Sequence, residues 1–465
     1  MIFPSHRTAS GPVRHWPARR RATGMAIALL SGLGSISAAQ AQQTQAQQTP
    51  VQAAPSPDSL RLSTLQADAA RRDPRTRARD LLAAQSALRL RTLDAERFPT
   101  FTANGQANYQ SDVVSLPFAV PGSPPFLPPH DSYDASVSAR LAIYDPSRAP
   151  RGATERATLA ESQARVETSI FALRQGVNDA YFGVLRAGVQ RAELEAALAD
   201  LEAQLRVARE QLRERTVLPG AVASLEVEVL RRRQTIAEVD AARGAALTVL
   251  ANLTGRTLAA ADSLPLPDLA GAVTRVRAAR DLPRERPEHA GFARSREVLD
   301  RQRDALRAAT LPRVSAVSRA GYGRPGLNAL ATRFDEYWIA GLQLEWTPWN
   351  WGATARQREA LTLQQQIVSA EEAAFSDALQ RSIANDLATI DRLERALVDD
   401  EQIVALRERI LAESRLRHTE GVITSAEYVD RQTDVLAARL ARVTHRVQLE
   451  ETRARYLTTL GVEVP

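Results

Sequence analysis

Residues 151–215 contain no proline, and one apolar stripe runs through them in alternating steps of three and four. It comprises Ile170, Leu173, Val177, Ala180, Val184, Ala187, Arg191, Leu194, Leu198, Leu201, Leu205, Ala208 and Leu212, and only Arg191 is not apolar. That is the 3.5-residue period of a coiled coil, held for about six heptads. At 1.5 Å per residue such a helix is about 100 Å long, some three times the ~30 Å diameter of a small domain. The 465 residues suggest about three ordinary domains by length alone. A rod of this length argues against that division.

Leu218, Pro219 and Gly220 break the rod, and a return helix is expected over about 222–253. The C-terminal half has the same plan. One long helix is expected over about 353–418 and breaks at Gly421; another follows over about 425–460. Shorter helices are expected over about 59–96 and 287–309, each leading into an extended segment. Small seam residues, Ala and Val, let neighbouring helices approach closely.

Four segments alternate with period two. Phe101, Ala103, Gly105, Ala107 and Tyr109 share one face, against Thr102, Asn104, Gln106 and Asn108. Tyr133, Ala135, Val137, Ala139, Leu141 and Ile143 do the same, as do Trp338, Ala340, Leu342, Leu344 and Trp346; Val314, Ala316, Ala320 and Tyr322 form a weaker case. One dry face and one wet face, about ten residues in length, with aromatic ends, is the pattern of a transmembrane β-barrel with a polar lumen. The aromatic residues expected at the two membrane interfaces are Tyr109, Tyr133, Tyr144, Tyr322, Trp338, Trp346 and Trp349. A small soluble sandwich would show the same alternation. Four strands cannot close a barrel, and an open edge in lipid leaves backbone groups unpaired. Closure therefore needs several chains; three copies would give twelve strands.

The N-terminus favours the barrel. Arginines at 14–21, an apolar run at 25–33 and Ala39-Gln40-Ala41 form the three parts of an export signal, expected to be 1–41. Residues 42–57 are low-complexity Gln, Ala and Pro and are expected to be a flexible lead-in. The formal charge of +6 invites a nucleic-acid reading. Five arginines in the leader carry most of it, and the remaining arginines are interspersed with acids, as on solvated helix faces. No nucleic-acid partner is expected. Without cysteine there is no disulfide framework, catalytic thiol or lipid anchor on an N-terminal cysteine.

The two halves repeat one order: short helix, strand, loop, strand, long helix, tight break, return helix. Phe98-Pro99 matches Leu311-Pro312, and Gly220-Ala-Val-Ala-Ser-Leu-Glu is aligned with Gly421-Val-Ile-Thr-Ser-Ala-Glu. The first repeat is read as 58–255, with strands near 99–110 and 132–144 and a hairpin tip at 218–224. A connector follows at 256–285. The second repeat is 286–465, with strands near 312–323 and 336–348 and a tip at 420–425. A proline-rich loop at 111–130 suits an extracellular connection.

With this layout, with Leu344-Glu-Trp-Thr-Pro-Trp-Asn-Trp-Gly352, and with Glu420-Gly-Val-Ile-Thr-Ser-Ala-Glu-Tyr-Val-Asp430, the chain resembles the TolC family of outer-membrane efflux ducts. The resemblance covers about 59–464. It implies a mainly α fold with a β-barrel part: a homotrimer whose twelve-stranded barrel sits in outer-membrane lipid and continues as a periplasmic coiled-coil tunnel. It implies an exit duct for a tripartite efflux or type I secretion system. The partners would be a periplasmic adaptor and an inner-membrane pump, proton-driven or ABC-type. The connector would join an equatorial belt. Glu427 and Asp430 would form acidic rings at the periplasmic gate. The adaptor would dock at the tips: Leu218, Pro219, Gly220, Ala221, Val222 and Ser224 of the first, and Gly421, Val422, Ile423, Thr424 and Ser425 of the second.

Two rivals are weaker. A soluble periplasmic coiled-coil adaptor shares the export signal and heptads but has no use for four alternating strands. An enzyme lacks its motifs: the histidines show no metal-ligand spacing, and a chain without lysine has no P-loop. Gly321-Tyr-Gly-Arg-Pro-Gly326 satisfies GxGxxG literally, but no helix-opening context follows. No catalytic residue, metal or cofactor is expected.

Overall fold

Prolines open three of the helices. Pro74, Pro219 and Pro287 each stand at a helix start, where the missing N–H has no intrahelical acceptor to lose. In a computed structural model the described residues are 60–113, 129–259, 262–278, 286–328 and 332–465. They lie in one unit, Pro55–Pro465. The leader, the lead-in and residues 114–128 of the proline-rich loop lie outside the described residues.

The order is α1 (Leu62–Arg72), α2 (Pro74–Ala95), β1 (Thr100–Tyr109), β2 (Asp131–Tyr144), α3 (Arg148–Phe171), α4 (Leu173–Arg213), α5 (Pro219–Thr254), α6 (Ala270–Ala278), α7 (Pro287–Ala308), β3 (Arg313–Arg324), β4 (Asp335–Glu345), α8 (Ala353–Thr419) and α9 (Ser425–Thr459). Three details differ from the sequence reading. The first helix is two, because Asp73 leaves the helical region and caps α2, accepting from the Arg75 N–H at 2.8 Å. The long rod begins at Arg148 and is interrupted once, at Ala172, whose backbone stays right-handed helical. The connector contains a helix, α6.

The heptad stripe is the buried side of α4. Val177, Ala180, Val184, Ala187, Leu194, Leu201, Leu205 and Ala208 are all buried. Arg191, the one polar seam residue, reaches Glu195 at 2.9 Å and Asp240 on α5 at 3.0 Å. Towards the hairpin end, Leu201, Leu205 and Ala208 pack with Val222, Leu225 and Val229 of α5 and with Val429 of α9.

The strands form one antiparallel sheet in the order β1-β2-β3-β4. The helices next to it keep that order: α2 packs on α3, α3 on α7 and α7 on α8. Farther from the sheet, α5 packs on α4, α4 on α9 and α9 on α8. The chain is thus a row four elements wide along its length. Among the described residues two edges stay open outside the contact of α1 with α5: β1, α2 and α5 on one side, β4 and α8 on the other.

A belt thickens the row at mid-length. Leu62, Leu65 and Ala69 of α1, Ala272 and Val273 of α6, and the end of α9 pack around Tyr181, Phe182 and Leu250. Asn178 is completely buried there. Its Oδ1 accepts from Gln66 Nε2 at 2.6 Å, and its Nδ2 donates to Thr458 Oγ1 at 3.0 Å, joining three helices. The Tyr181 hydroxyl donates to the Pro265 carbonyl. Burial pushes Glu450 above the usual glutamate range, although the Leu269 N–H and Arg453 both bind its carboxylate.

The Asn178 junction generates a stability prediction. Asn178→Ala leaves the Gln66 amide without its acceptor, at roughly 1–3 kcal/mol for a buried group left unsatisfied, while the Thr458 hydroxyl keeps its bond to Ala454 O. The thermal midpoint of the full chain should fall clearly, whereas Asp179→Ala on the neighbouring position should change stability by less than about 0.5 kcal/mol. Equal midpoints would remove the junction from the account of the belt.

Candidate functional site

The pairing register collects the alternating residues of four strands into two continuous faces. On the apolar face Phe101 stands opposite Ala139 and Ala103 opposite Val137. Val137 then stands opposite Ala320 and Leu141 opposite Ala316. Ala316 faces Leu342, and Ala320 faces Trp338. The polar face carries Thr102, Asn104 and Gln106 against Ser138, Ser136 and Asp134, and Arg319 opposite Ile339. Strict alternation would place Ile143 on the apolar face and Tyr144 off it. A bulge between Ala142 and Tyr144 sets Tyr144 opposite Val314 and so onto that face.

The expected interface aromatics lie in two groups, and all seven are exposed. Tyr109, Tyr133 and Tyr322 stand at the loop end of the sheet, with Trp338 two pairs further in than Tyr322. Tyr144, Trp346 and Trp349 stand at the helix end. Two partners at the loop end escaped the sequence reading: Phe334 stacks on Tyr322 at 5.5 Å, and His130 on Tyr109 at 5.8 Å. Arg324 lies over the rings of Tyr133 and Phe334 at 5.6 and 5.2 Å. At the helix end Trp351 meets Trp349 at 6.0 Å.

The polar face also holds a cluster that spacing alone could not reveal. Asp134 accepts from Arg319 and from the Tyr337 hydroxyl, and Ser136 joins both Asp134 and Arg319 at 3.1 Å. Gly321 makes this possible: a Cβ there would meet the Tyr337 ring at 2.6 Å and Ser136 Cβ at 2.9 Å. The first four residues of the GxGxxG segment therefore lie within strand β3, and Gly321 serves side-chain packing across the sheet.

Both hairpin tips end their first helix in the same way. After α8, Gly421 is left-handed (φ 73°); its N–H donates to His418 O, and the Val422 N–H donates to Arg417 O. After α4, Arg215 is left-handed (φ 61°), and the N–H groups of Arg215 and Thr216 bond Leu212 O and Gln211 O. These are paired Schellman caps. The residue equivalent to Gly421 is therefore Arg215. Gly220 lies five residues later, inside α5, so the expected alignment of Gly220 with Gly421 is corrected. Ala221, rather than Glu226, then corresponds to Glu427. Glu226 pairs with Arg209 across the first hairpin at 2.7 Å.

Of the expected docking residues, Leu218, Pro219, Gly220, Ser224, Gly421, Val422 and Thr424 are exposed, and Ala221, Ile423 and Ser425 are half-buried. Val222 is buried in the cluster between α4 and α5, so it offers no surface to a partner. The starts of α5 and α9 come together across a cleft of about 260 Å³ that Ser224, Ser425 and Asp430 help to line. Glu427 and Asp430 are both exposed. Glu427 also supports the local fold. Its Oε2 accepts from the Thr424 N–H at 2.8 Å, while the Glu427 N–H donates to Thr424 Oγ1 at 3.2 Å. This capping box holds the first turn of α9. The Thr424 backbone and hydroxyl hold the Glu427 carboxyl below the usual glutamate range. Among the described residues no cluster of His, Asp or Glu could hold a metal ion. No helix among them is long and apolar enough to cross a membrane.

The depressed Glu427 carboxyl sets a pH dependence. A lowered acid stabilises the cap at pH values above its unfolded pKa, and that support disappears as pH falls through the lower folded value. Amide protection at residues 425–428 should therefore hold at neutral pH and drop only in acid. Thr424→Ala should lower it at neutral pH as well. Protection that does not respond to either change would show that the box does not hold the turn.

No family model matches the chain, and no curated protein sequence does. Solved structures do. The chain superposes on CusC, whose structures concern transmembrane channel formation, with TM-score 0.64 and 17% identity, covering 86% of this chain and 92% of that one. The outer membrane protein VceC from Vibrio cholerae gives 0.62 and 16%, covering 86% and 96%. The open state of the Neisseria gonorrhoeae MtrE outer membrane channel gives 0.61 and 18%, covering 87% and 89%. The chain has the fold of the TolC-type outer-membrane channels.

Proposed function

We propose that three copies of this chain form an outer-membrane exit duct, the last stage of a tripartite efflux or type I secretion system. One observation carries the reading: a sheet with one continuous apolar face and two open edges runs directly into helices of tunnel length. From Tyr133 to Tyr144 the chain rises about 36 Å, or about 27 Å of thickness at the ~40° tilt of outer-membrane strands. That matches an apolar band of about 25 Å. Helix α8, with 67 residues, is about 100 Å long.

The open edges carry the apolar surface that neighbours would cover. Leu363, Ile367, Ile403 and Leu406 are exposed on α8 at one edge, and Leu81, Leu88, Val227 and Leu230 on α2 and α5 at the other. Seating one edge on the other in a ring of three pairs β4 with the next β1 and leaves no backbone edge in lipid. The polar strand face becomes the lumen wall. The chain would then reside in the outer membrane of a Gram-negative type envelope, with its helices in the periplasm. The exposed tip residues would receive a periplasmic adaptor coupled to a proton-driven or ABC-type pump. Glu427 and Asp430 would line the periplasmic gate as two acidic rings. The adaptor alternative gives no role to an apolar sheet face that nothing among the described residues covers.

Three measurements test this. Carbonate washing should leave the chain with the membrane; release would favour the adaptor. Purified protein should form cation-selective channels in planar bilayers. Glu427→Gln with Asp430→Asn should bring the cation-to-anion permeability ratio down towards one, and an unchanged ratio would sink the gate. A charge at the tips, Val422→Asp or Ala221→Asp, should abolish crosslinking to the adaptor while trimers persist. Crosslinking that survives both would place docking elsewhere.

A further inference from the structure

The buried stripe of α8 has one charged member at the belt. Leu379, Ile383, Asp386, Ile390 and Leu393 follow in steps of four and three, and Asp386 is only 1% exposed among them. Its Oδ1 accepts from Arg455 Nε on α9 at 2.7 Å. Its Oδ2 has no partner; among the described residues it is the one buried carboxylate oxygen left without a donor. An ionised carboxylate so placed loses the hydration of that oxygen and receives nothing in exchange.

Around Asp386 carboxylates outnumber guanidiniums. Arg455 also acts on Glu451, one turn earlier on α9. Glu451 accepts from Arg186 of α4 at 3.1 Å and feels the negative charge of Asp179, also on α4. Two arginines thus serve three acids. Nearby, Arg453 alone serves Glu450 and Glu394, at 2.6 and 2.7 Å, and Asp268 adds its repulsion to Glu450. Burial pushes Asp386, Glu450 and Glu451 above the usual carboxylate range, against the opposing pull of their arginines. Glu450 has both oxygens committed, one to Arg453 and one to the Leu269 N–H. Asp386 keeps a free oxygen, so it can take up a proton without giving up a bond.

We propose that Asp386 is the proton-binding group of an acid-strengthened clamp that holds α8 against α9 at the belt. Proton uptake at Oδ2 leaves the Arg455 bond at Oδ1 in place and relieves the surplus of negative charge shared with Glu451 and Asp179. The sign follows from linkage. A carboxyl whose pKa is raised by folding stabilises the folded chain fully below its unfolded pKa, and that support is lost as pH rises through the folded value. The clamp therefore tightens as pH falls from neutral into the mildly acidic range. An ordinary ion pair does the opposite, because acid breaks it. The inference goes beyond the duct reading and does not depend on it.

The test is hydrogen exchange on the full chain in detergent, read as amide protection at residues 383–393. Between about pH 7.5 and about pH 5 the wild-type protection should rise by about threefold or more, since one pKa unit corresponds to about tenfold. Asp386→Asn should flatten the rise. Glu372→Gln is the control on the same helix. Arg296 holds the Glu372 carboxyl below the usual glutamate range, so the advantage of the wild type over this variant should shrink in acid. Should Asp386→Asn fail to fold, Arg455→Gln takes its place. A carboxyl without its guanidinium binds protons more readily, so the rise should begin at higher pH. Wild-type protection that falls in acid at these residues identifies an ordinary ion pair and overturns the clamp. A rise that survives Asp386→Asn, or an onset that Arg455→Gln leaves in place, overturns it as well. Membrane retention after carbonate washing decides the duct reading separately.

Discussion

The edges of a four-stranded sheet decide everything larger in this molecule. Each edge strand offers a row of N–H and C=O groups, and hydrocarbon supplies no water to satisfy them. β1 and β4 are ten and eleven residues long and exposed along almost their whole length, so neither is blunted by brevity or cover. The apolar face of the sheet argues for lipid, and lipid forbids open edges. The closure proposed above reconciles the two. The same logic extends to the helices, where α8 and the α2/α5 side present large apolar residues that nothing among the described residues covers. In the proposed trimer one seam, running from strand to helix, answers both demands.

The row holds its order by two different means. Between helices the heptad seam is dry and small, so packing sets the spacing, and a single arginine in it is bridged to carboxylates on two sides. At the belt, polar contacts take over. Asn178 ties α1 and α9 to α4, and Glu450 anchors the chain before α6 through the Leu269 N–H. A polar group at full burial specifies a single arrangement, because any shift leaves donors unpaired. Long coiled coils can slide by a heptad at modest cost. The belt is where this one is pinned.

Much of the architecture was legible in the sequence because it rests on periodicity. The stripe from Val177 to Ala208 and the alternation from Phe101 to Tyr109 are read with a ruler, and the buried side of α4 follows the first. What was not legible depends on register or on cap geometry. The bulge at Ile143 moves one aromatic residue across the sheet, and no local pattern marks it. The Asp134, Arg319 and Tyr337 cluster joins three strands, two of them in the other half of the chain. The tips misled the reading because two glycines looked equivalent, whereas the left-handed residue of the first cap is Arg215. Arginine tolerates that conformation poorly, so sequence preference pointed to the wrong residue. The capping role of Glu427 was available in principle: Thr424-Ser-Ala-Glu427 has the spacing of a capping box.

That role bears on how a gate built from these tips would work. The first return helix begins with Leu218 and Pro219 and has no side-chain cap; proline removes one orphan donor and sets the backbone angle without any charge. The second depends on an ionised Glu427. Its Oε2 is committed to the Thr424 backbone and hydroxyl, which leaves Oε1 to face solvent. Three such carboxylates around an axis repel one another. Repulsion of this kind is often relieved by protonation. Here the capping bonds hold the carboxyl below its ordinary range, so protonation at neutral pH is suppressed. The contact that keeps the helix start folded would thus also favour the charged form of Glu427, with Arg431 close enough to add to that preference.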